Sequence, residues 1–343
     1  MQPEKIEITT STLLKALLII LGIVLIWYLK SVLALLFIVL IFIAALAPVV
    51  DWAEKYKIPR LLSTIIIYLI ILGLIALVSY LIIPPLVNQI IQFINDLPNF
   101  VEKYAPYLQR AREFSSQSHL FEAFTNDLTS LSQNLESVSE SILTAAIRAF
   151  GGITSFVIAV VLIFYLLLAK KEIAEGILSY TPKKRRNLIK KIGGEILFRL
   201  GSWARGQFLL CLIIGVIDTI ALSIIGVPFA LLLGLFSGIT ELIPSIGPIL
   251  GAIPAIIVAW TISPWKALIV AIVYLVVQQL EGNILVPNIM KKAVGMNPAL
   301  IIIAILIGAE LGGILGMFLA VPIASVIVII LRVWREETIE KKN

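Results

Sequence analysis

Gly226–Ala259 reads GVPFALLLGLFSGITELIPSIGPILGAIPAIIVA, two apolar arms around the centre Glu241-Leu242-Ile243-Pro244-Ser245-Ile246-Gly247-Pro248. That centre predicts a helix break. Pro244 and Pro248 each lack an N–H and crowd the preceding turn, and Gly247 frees the backbone between them. The first arm, Pro228–Thr240, holds 13 residues, roughly 20 Å of helix at about 1.5 Å per residue. A bilayer's hydrocarbon core is about 30 Å thick. Two arrangements fit. One is a pair of short spans joined by a Pro/Gly turn at the far surface. The other is a re-entrant hairpin whose tip, carrying Glu241, Pro244, Gly247 and Pro248, helps form a transport site. Irregular backbone at that depth must be covered by protein or face a watery cavity.

The whole chain supports a membrane setting. Of 343 residues, 60% are hydrophobic and only 14% are charged, with a mean hydropathy of +1.05. Such a composition fits an all-α polytopic membrane protein. The single Cys211 lies in an apolar run and the single His119 in a polar one. They predict neither a disulfide framework nor a His/Cys metal cluster. No Gly-rich phosphate loop ending in Lys-Ser/Thr occurs, which argues against ATP-driven transport, and no cofactor is implied. The pI of about 9.3 is explained by basic residues placed beside spans rather than by nucleic acid.

Working outward, about six full spans are expected. Thr12–Leu29 and Val32–Val50 form a tight helical hairpin about Lys30-Ser31. Leu61–Ile83 is the third span, stopped by Pro84-Pro85. Gly151–Ala169, Gln207–Ile225 and Lys266–Val286 follow. The break-containing hairpin lies between the last two, and Pro298–Leu331 supplies a second pair of apolar arms. The expected organisation is 1–83 as a three-span bundle, 84–150 as an extramembrane arm, and 151–206 as a span with a basic helix. Residues 207–331 form the transport core and 332–343 a tail.

Lysine and arginine set the orientation. With the N-terminus inside, 21 basic residues fall in cytoplasmic segments, ten of them within 170–205. Six fall outside: Lys30, Lys103, Arg110, Arg112, Arg148 and Lys266. The asymmetry predicts a multi-pass cell-membrane protein with both termini cytoplasmic. Thr181-Pro182 is expected to cap a basic amphipathic helix on the inner leaflet, running through Lys183–Arg186 to Trp203.

Leu86–Ala149 differs in kind. Leu86, Ile90, Phe93, Leu97, Phe100, Tyr104 and Tyr107 recur at alternating spacings of four and three. After Ser115-Ser116-Gln117-Ser118 the pattern resumes from Phe121 to Ile142. The two heptad-like stripes predict a helical hairpin arm, packed on itself and also against neighbouring subunits of a homo-oligomer. Pro98 and Pro106 are expected to kink or interrupt its first helix.

An offset of about 69 residues lays Gly226–Ala259 over Gly295–Val328, with Glu241 on Glu310 and Gly247 on Gly316. One span separates the copies, so they enter from opposite sides. This weak inverted repeat points to a transporter with its site at the repeat interface. Asp218 lies within the fifth span, while Gln278, Gln279, Glu281 and Asn283 lie near the inner end of the sixth. Ionisable groups in spans usually face a bundle interior or a pathway. More ordinary roles stand beside that one. Glu281 could sit at the cytoplasmic interface, Asp218 could pair with Arg205 or a hydroxyl, and Glu241 could accept bonds from N–H groups beside Gly247.

Gly226-Val227-Pro228-Phe229-Ala230-Leu231, Glu241–Pro248, Glu281-Gly282-Asn283-Ile284-Leu285-Val286-Pro287 and Leu319-Ala320-Val321-Pro322 resemble the signature segments of the autoinducer-2 exporter-like family. Leu311–Gly316 is similar to that family's glycine-rich pattern. The resemblance is specific from about Gly201 to Leu331. It implies an oligomeric multispan permease without ATP hydrolysis; some members are linked to autoinducer-2 export, others to sodium/proton exchange.

Three classes of function compete. A secondary transporter of a small polar solute or cation, with a sodium/proton antiporter as the alternative, accounts for broken helices and buried carboxylates together. An intramembrane enzyme would need a nucleophile–base or metal constellation, and none is evident. A structural scaffold would explain the arm but not Glu241 and Glu310. The transport reading assigns Glu241, at the C-terminal end of a half-helix, the uptake and release of a proton or cation. The helix field and the loss of water both oppose its charge.

Overall fold

The computed structural model describes residues 10–114, 152–290 and 296–340. All of its regular elements are helical: α1 (Thr10–Tyr28), α2 (Lys30–Lys55), α3 (Arg60–Phe114), α4 (Gly152–Leu168), α5 (Lys170–Ser179), α6 (Arg186–Ile225), α7 (Ala230–Thr240), α8 (Gly247–Ile262), α9 (Pro264–Leu280), α10 (Val286–Met290) and α11 (Pro298–Glu340). Among the described residues, five helical segments are long and apolar enough to cross a membrane: Lys30–Lys55, Arg60–Gln89, Lys183–Ile225, Pro264–Met290 and Ala299–Glu336. Their outer faces expose large apolar side chains such as Leu69, Ile70, Leu74, Leu275 and Leu306. In water such a surface would drive aggregation; against acyl chains it is matched.

Several expected boundaries move. No open turn occurs at Lys30-Ser31. Leu29 donates to the Leu25 carbonyl and accepts from Leu33, both at 2.9 Å, so the helical ladder merely bends there. The third span does not stop at Pro84-Pro85, nor do Pro98 and Pro106 interrupt the helix; α3 continues to Phe114. A proline removes one ladder bond without forbidding the next, and exposed carbonyls upstream can be solvated once the helix leaves the lipid. The second stripe, from Phe121 to Ile142, lies outside the described residues. Thr181 does not cap a new helix. Its hydroxyl donates back to Ile177 O at 2.8 Å, a single 3₁₀ turn follows at Lys183–Arg185, and the amphipathic segment fuses with the fifth span as α6.

One bundle joins α2, α3 and α4 through Val39, Ile43, Ala47, Val50, Ile67, Ile163 and Leu167. Arg60 ties its end together. The guanidinium donates to the Leu167 carbonyl at 2.8 Å and pairs with Asp51 at 3.0 Å and Glu54 at 3.2 Å. Lys170 and Lys171 engage the same two carboxylates. Carbonyls left over at the α4 C-terminus thus receive a cation, as the helix field favours.

A second joint connects α2 to α6. Pro48 cannot donate, which frees the Ala44 carbonyl one turn earlier. Gly201 packs onto that carbonyl with no room for a side chain, and Arg205 Nη1 donates to Ala45 O at 2.9 Å. Farther along, α6 and α7 run together over glycines: a Cβ on Gly238 would lie 2.7 Å from Cys211 O, and one on Gly234 2.8 Å from Gly215 O. Small residues permit this backbone approach.

The break in Gly226–Ala259 is present. α7 ends at Thr240, six residues turn, and α8 starts at Gly247. α11 breaks at Gly313, whose φ of 59° and ψ of −139° suit glycine alone. The arms on either side fold back on each other, with Gly308 against the Gly316 carbonyl and Ala320. Both expected pairs of arms are therefore helical hairpins. Ile246 at the first tip packs into the cluster that holds Ile305, Leu319, Ala320 and Val321 of the second.

Candidate functional site

Three acids from three elements lie under the first hairpin, two glutamates facing each other and an aspartate one level away. Glu241 caps α7, Glu281 opens the turn after α9, and Asp218 lies on α6; they are 1%, 8% and 1% exposed. The α7 ladder closes with Glu241 N donating to Ser237 O at 3.0 Å and Ile243 N to Thr240 O at 3.0 Å. Ser245 then takes a left-handed φ of 69°, and Gly247 N returns to Ile243 O at 2.8 Å. Backbone groups thus close the turn among themselves. Among the described residues no hydrogen bond runs from an N–H beside Gly247 to the Glu241 carboxyl. Its backbone carbonyl instead accepts from Gln207 Nε2 of α6 at 2.6 Å.

Glu281 is placed by a π-helical turn, Glu281–Leu285, in which Val286 N reaches back five residues to Glu281 O. Such a bulge rotates the following face and is common at functional sites. It turns Glu281 inward, where its carboxyl lies within hydrogen-bonding reach of the Glu241 carboxyl. Asn283 stays exposed and donates to Gln279 at 3.1 Å. Asp218 faces the Ser237 hydroxyl and acts electrostatically on both glutamates. It does not pair with Arg205, which is committed to α2. Ser237 Oγ and Tyr274 Oη lie 2.9 Å apart.

No ion pair among the described residues reaches any of the three acids. Asp218 Oδ1 and Glu241 Oε2 have no hydrogen-bond partner. An unpaired carboxylate in such a place is costly. Two carboxyl groups can hydrogen-bond only if one carries a proton. Among the described residues no group of three or more His, Cys, Asp or Glu is spaced to hold a metal ion.

The remaining expected site residues divide. Gly247 is buried, and a Cβ there would lie 2.8 Å from Glu241 Cα; Pro244 and Pro248 are half-buried at the same tip. Gly316 is half-buried in the second hairpin. Glu310 is exposed on the first arm of that hairpin and does not join the acid cluster. Its alignment with Glu241 is not matched by a common environment. Gln207, Ser237 and Tyr274 were not singled out by sequence, although spacing carried a signal. Residues 207, 211 and 218 share one face of a helix, as do 237 with 241 and 274 with 281.

Apolar spanning helices, two hairpins and a buried acid cluster define a multi-pass helical membrane protein with a polar core. Residues 16–336 match the model described as "AI-2E family transporter", and the chain belongs to that family. It is 36% identical over 292 residues to "Putative transport protein YueF" of Bacillus subtilis, covering 82% of this chain and 78% of that protein. A second Bacillus subtilis relative, "Putative transport protein YrrI", is 34% identical and covers 82% and 80%. "Putative permease PerM" of Escherichia coli K12 is 25% identical over 82% of this chain and 81% of its own.

Proposed function

We propose that this protein is a secondary transporter that exports a small polar solute, with Glu241 and Glu281 binding and releasing a proton or cation as the first hairpin moves. The observation that supports it is the facing pair of buried carboxyls, unmatched by any base, at the tip of a broken helix. The α7 arm has 11 residues, about 16 Å at about 1.5 Å per residue, which supports a re-entrant arrangement over a full crossing. The second hairpin, Pro298–Leu331, acts as its inverted counterpart, and the protein works as a homo-oligomer in the cell membrane. Sodium/proton antiport is the competing activity, favoured by the lack of Lys or Arg in either hairpin's break region.

Flux in proteoliposomes, with sodium or labelled solutes and an imposed pH gradient, tests both. Glu241→Gln keeps the size and an acceptor oxygen but cannot carry a proton. We expect it to abolish pH-coupled flux, at least a tenfold loss, while folding normally. Full coupled flux in this variant would remove Glu241 from the cycle.

A further inference from the structure

Apart from the glutamate pair, one further acid, Asp218, is buried in the same core. It sits on α6 eleven residues beyond Gln207, about 16 Å along the helix, towards the end where Gly226 and Ser263 lie. Ser237 is one turn from Glu241 in the same direction, and Tyr274 is two turns from Glu281. The three side chains thus stand together on α6, α7 and α9, one level removed from the glutamates. Asp218 is as buried as Glu241, and its Oδ1 has no partner. Beyond it Leu222, Phe229, Leu233, Val258 and Val270 close the space with apolar groups.

We propose that Asp218, Ser237 and Tyr274 form a second proton-holding station, distinct from the Glu241–Glu281 pair and on the side of it nearer Gly226. The inference rests on the proton-coupled reading of that pair. Among the described residues, the polar groups that act on Asp218 are neutral or acidic: Ser237 and, farther on, Glu241 from α7, with Tyr274 and Glu281 from α9 and its turn. With no cation among them, Asp218 is accommodated by carrying a proton. Ser237 and Tyr274 supply hydroxyls that serve as donor or acceptor in turn, so they can follow the carboxyl through both of its states. No metal-ion geometry is required.

Infrared difference spectroscopy of the purified full-length protein, titrated between acid and alkaline pH in H₂O and D₂O, reads protonated carboxyl groups directly. Wild type should show at least two exchangeable C=O bands. Asp218→Asn should remove one and leave the other; Glu241→Gln should do the reverse. Ser237→Ala and Tyr274→Phe, which keep the fold's volume, should shift the Asp218 band and leave the glutamate band in place. A wild-type band lost only in Glu241→Gln, with Asp218→Asn and both hydroxyl variants unchanged, would overturn the second station and spare the glutamate pair. Absence of any protonated band in wild type would overturn both.

Discussion

At the residue scale, Gln207 holds the hairpin tip. Its amide donates to the Glu241 carbonyl at 2.6 Å inside the packed core, and an apolar replacement would leave that carbonyl without a donor. Losing a buried partner costs about 1–3 kcal/mol. Gln207→Leu should therefore lower the thermal midpoint followed by tryptophan fluorescence in detergent. An unchanged midpoint would show that the tip is held by packing alone. The acids were legible in the sequence because carboxylates are conspicuous in apolar runs. The meeting of the two glutamates was not. Glu281 faces inward only because one π turn shifts its register, and nothing in Glu281-Gly282-Asn283 distinguishes an α-turn from a π-turn. Glu310 shows the converse: its match to Glu241 by offset said nothing about burial.

At the scale of elements, a proline is not by itself a stop; its effect depends on what meets the freed carbonyl. In α3 the pair at 84 and 85 is absorbed into one helix. In α2, Pro48 creates a joint, because Gly201 of α6 packs onto the vacated Ala44 carbonyl and Arg205 Nη1 reaches it at 3.5 Å besides its bond to Ala45 O. The hairpin break at 241–248 was legible for a different reason: Pro244, Gly247 and Pro248 act within one turn, so no ladder can bridge them. The Pro48 joint makes a quantitative expectation. Pro48→Ala restores an N–H to the Ala44 carbonyl and gives it a competing partner. Arg205→Ala should then destabilise less in the Pro48→Ala background than in wild type, with a coupling of about 0.5–3 kcal/mol in a double-mutant cycle. Additive effects would mean that Arg205 does not depend on the freed carbonyl.

At the scale of the whole molecule, two ends can be told apart by contact. Asp51, Glu54, Arg60, Lys170 and Lys171 form one ionic cluster, so the α2–α3 connection and the end of α4 share a side. At the far end of the Arg60–Gln89 span, Gln89 Oε1 accepts from Leu232 N at the start of α7 at 3.0 Å, and Lys266 Nζ donates to Gly226 O at 3.1 Å. The first end gathers many basic residues; the second has Lys266. By the positive-inside rule we expect the Arg60 end in the cytoplasm and the Gly226 end outside. Single cysteines test this in a Cys211→Ala background, which removes the one native thiol. Tyr180, 93% exposed beyond α5, marks the first end, and exposed Trp265 marks the second. A membrane-impermeant maleimide added to intact cells should label Trp265→Cys and reach Tyr180→Cys only after permeabilisation. The opposite pattern would invert the topology, and with it the side from which the first hairpin and its acids are approached.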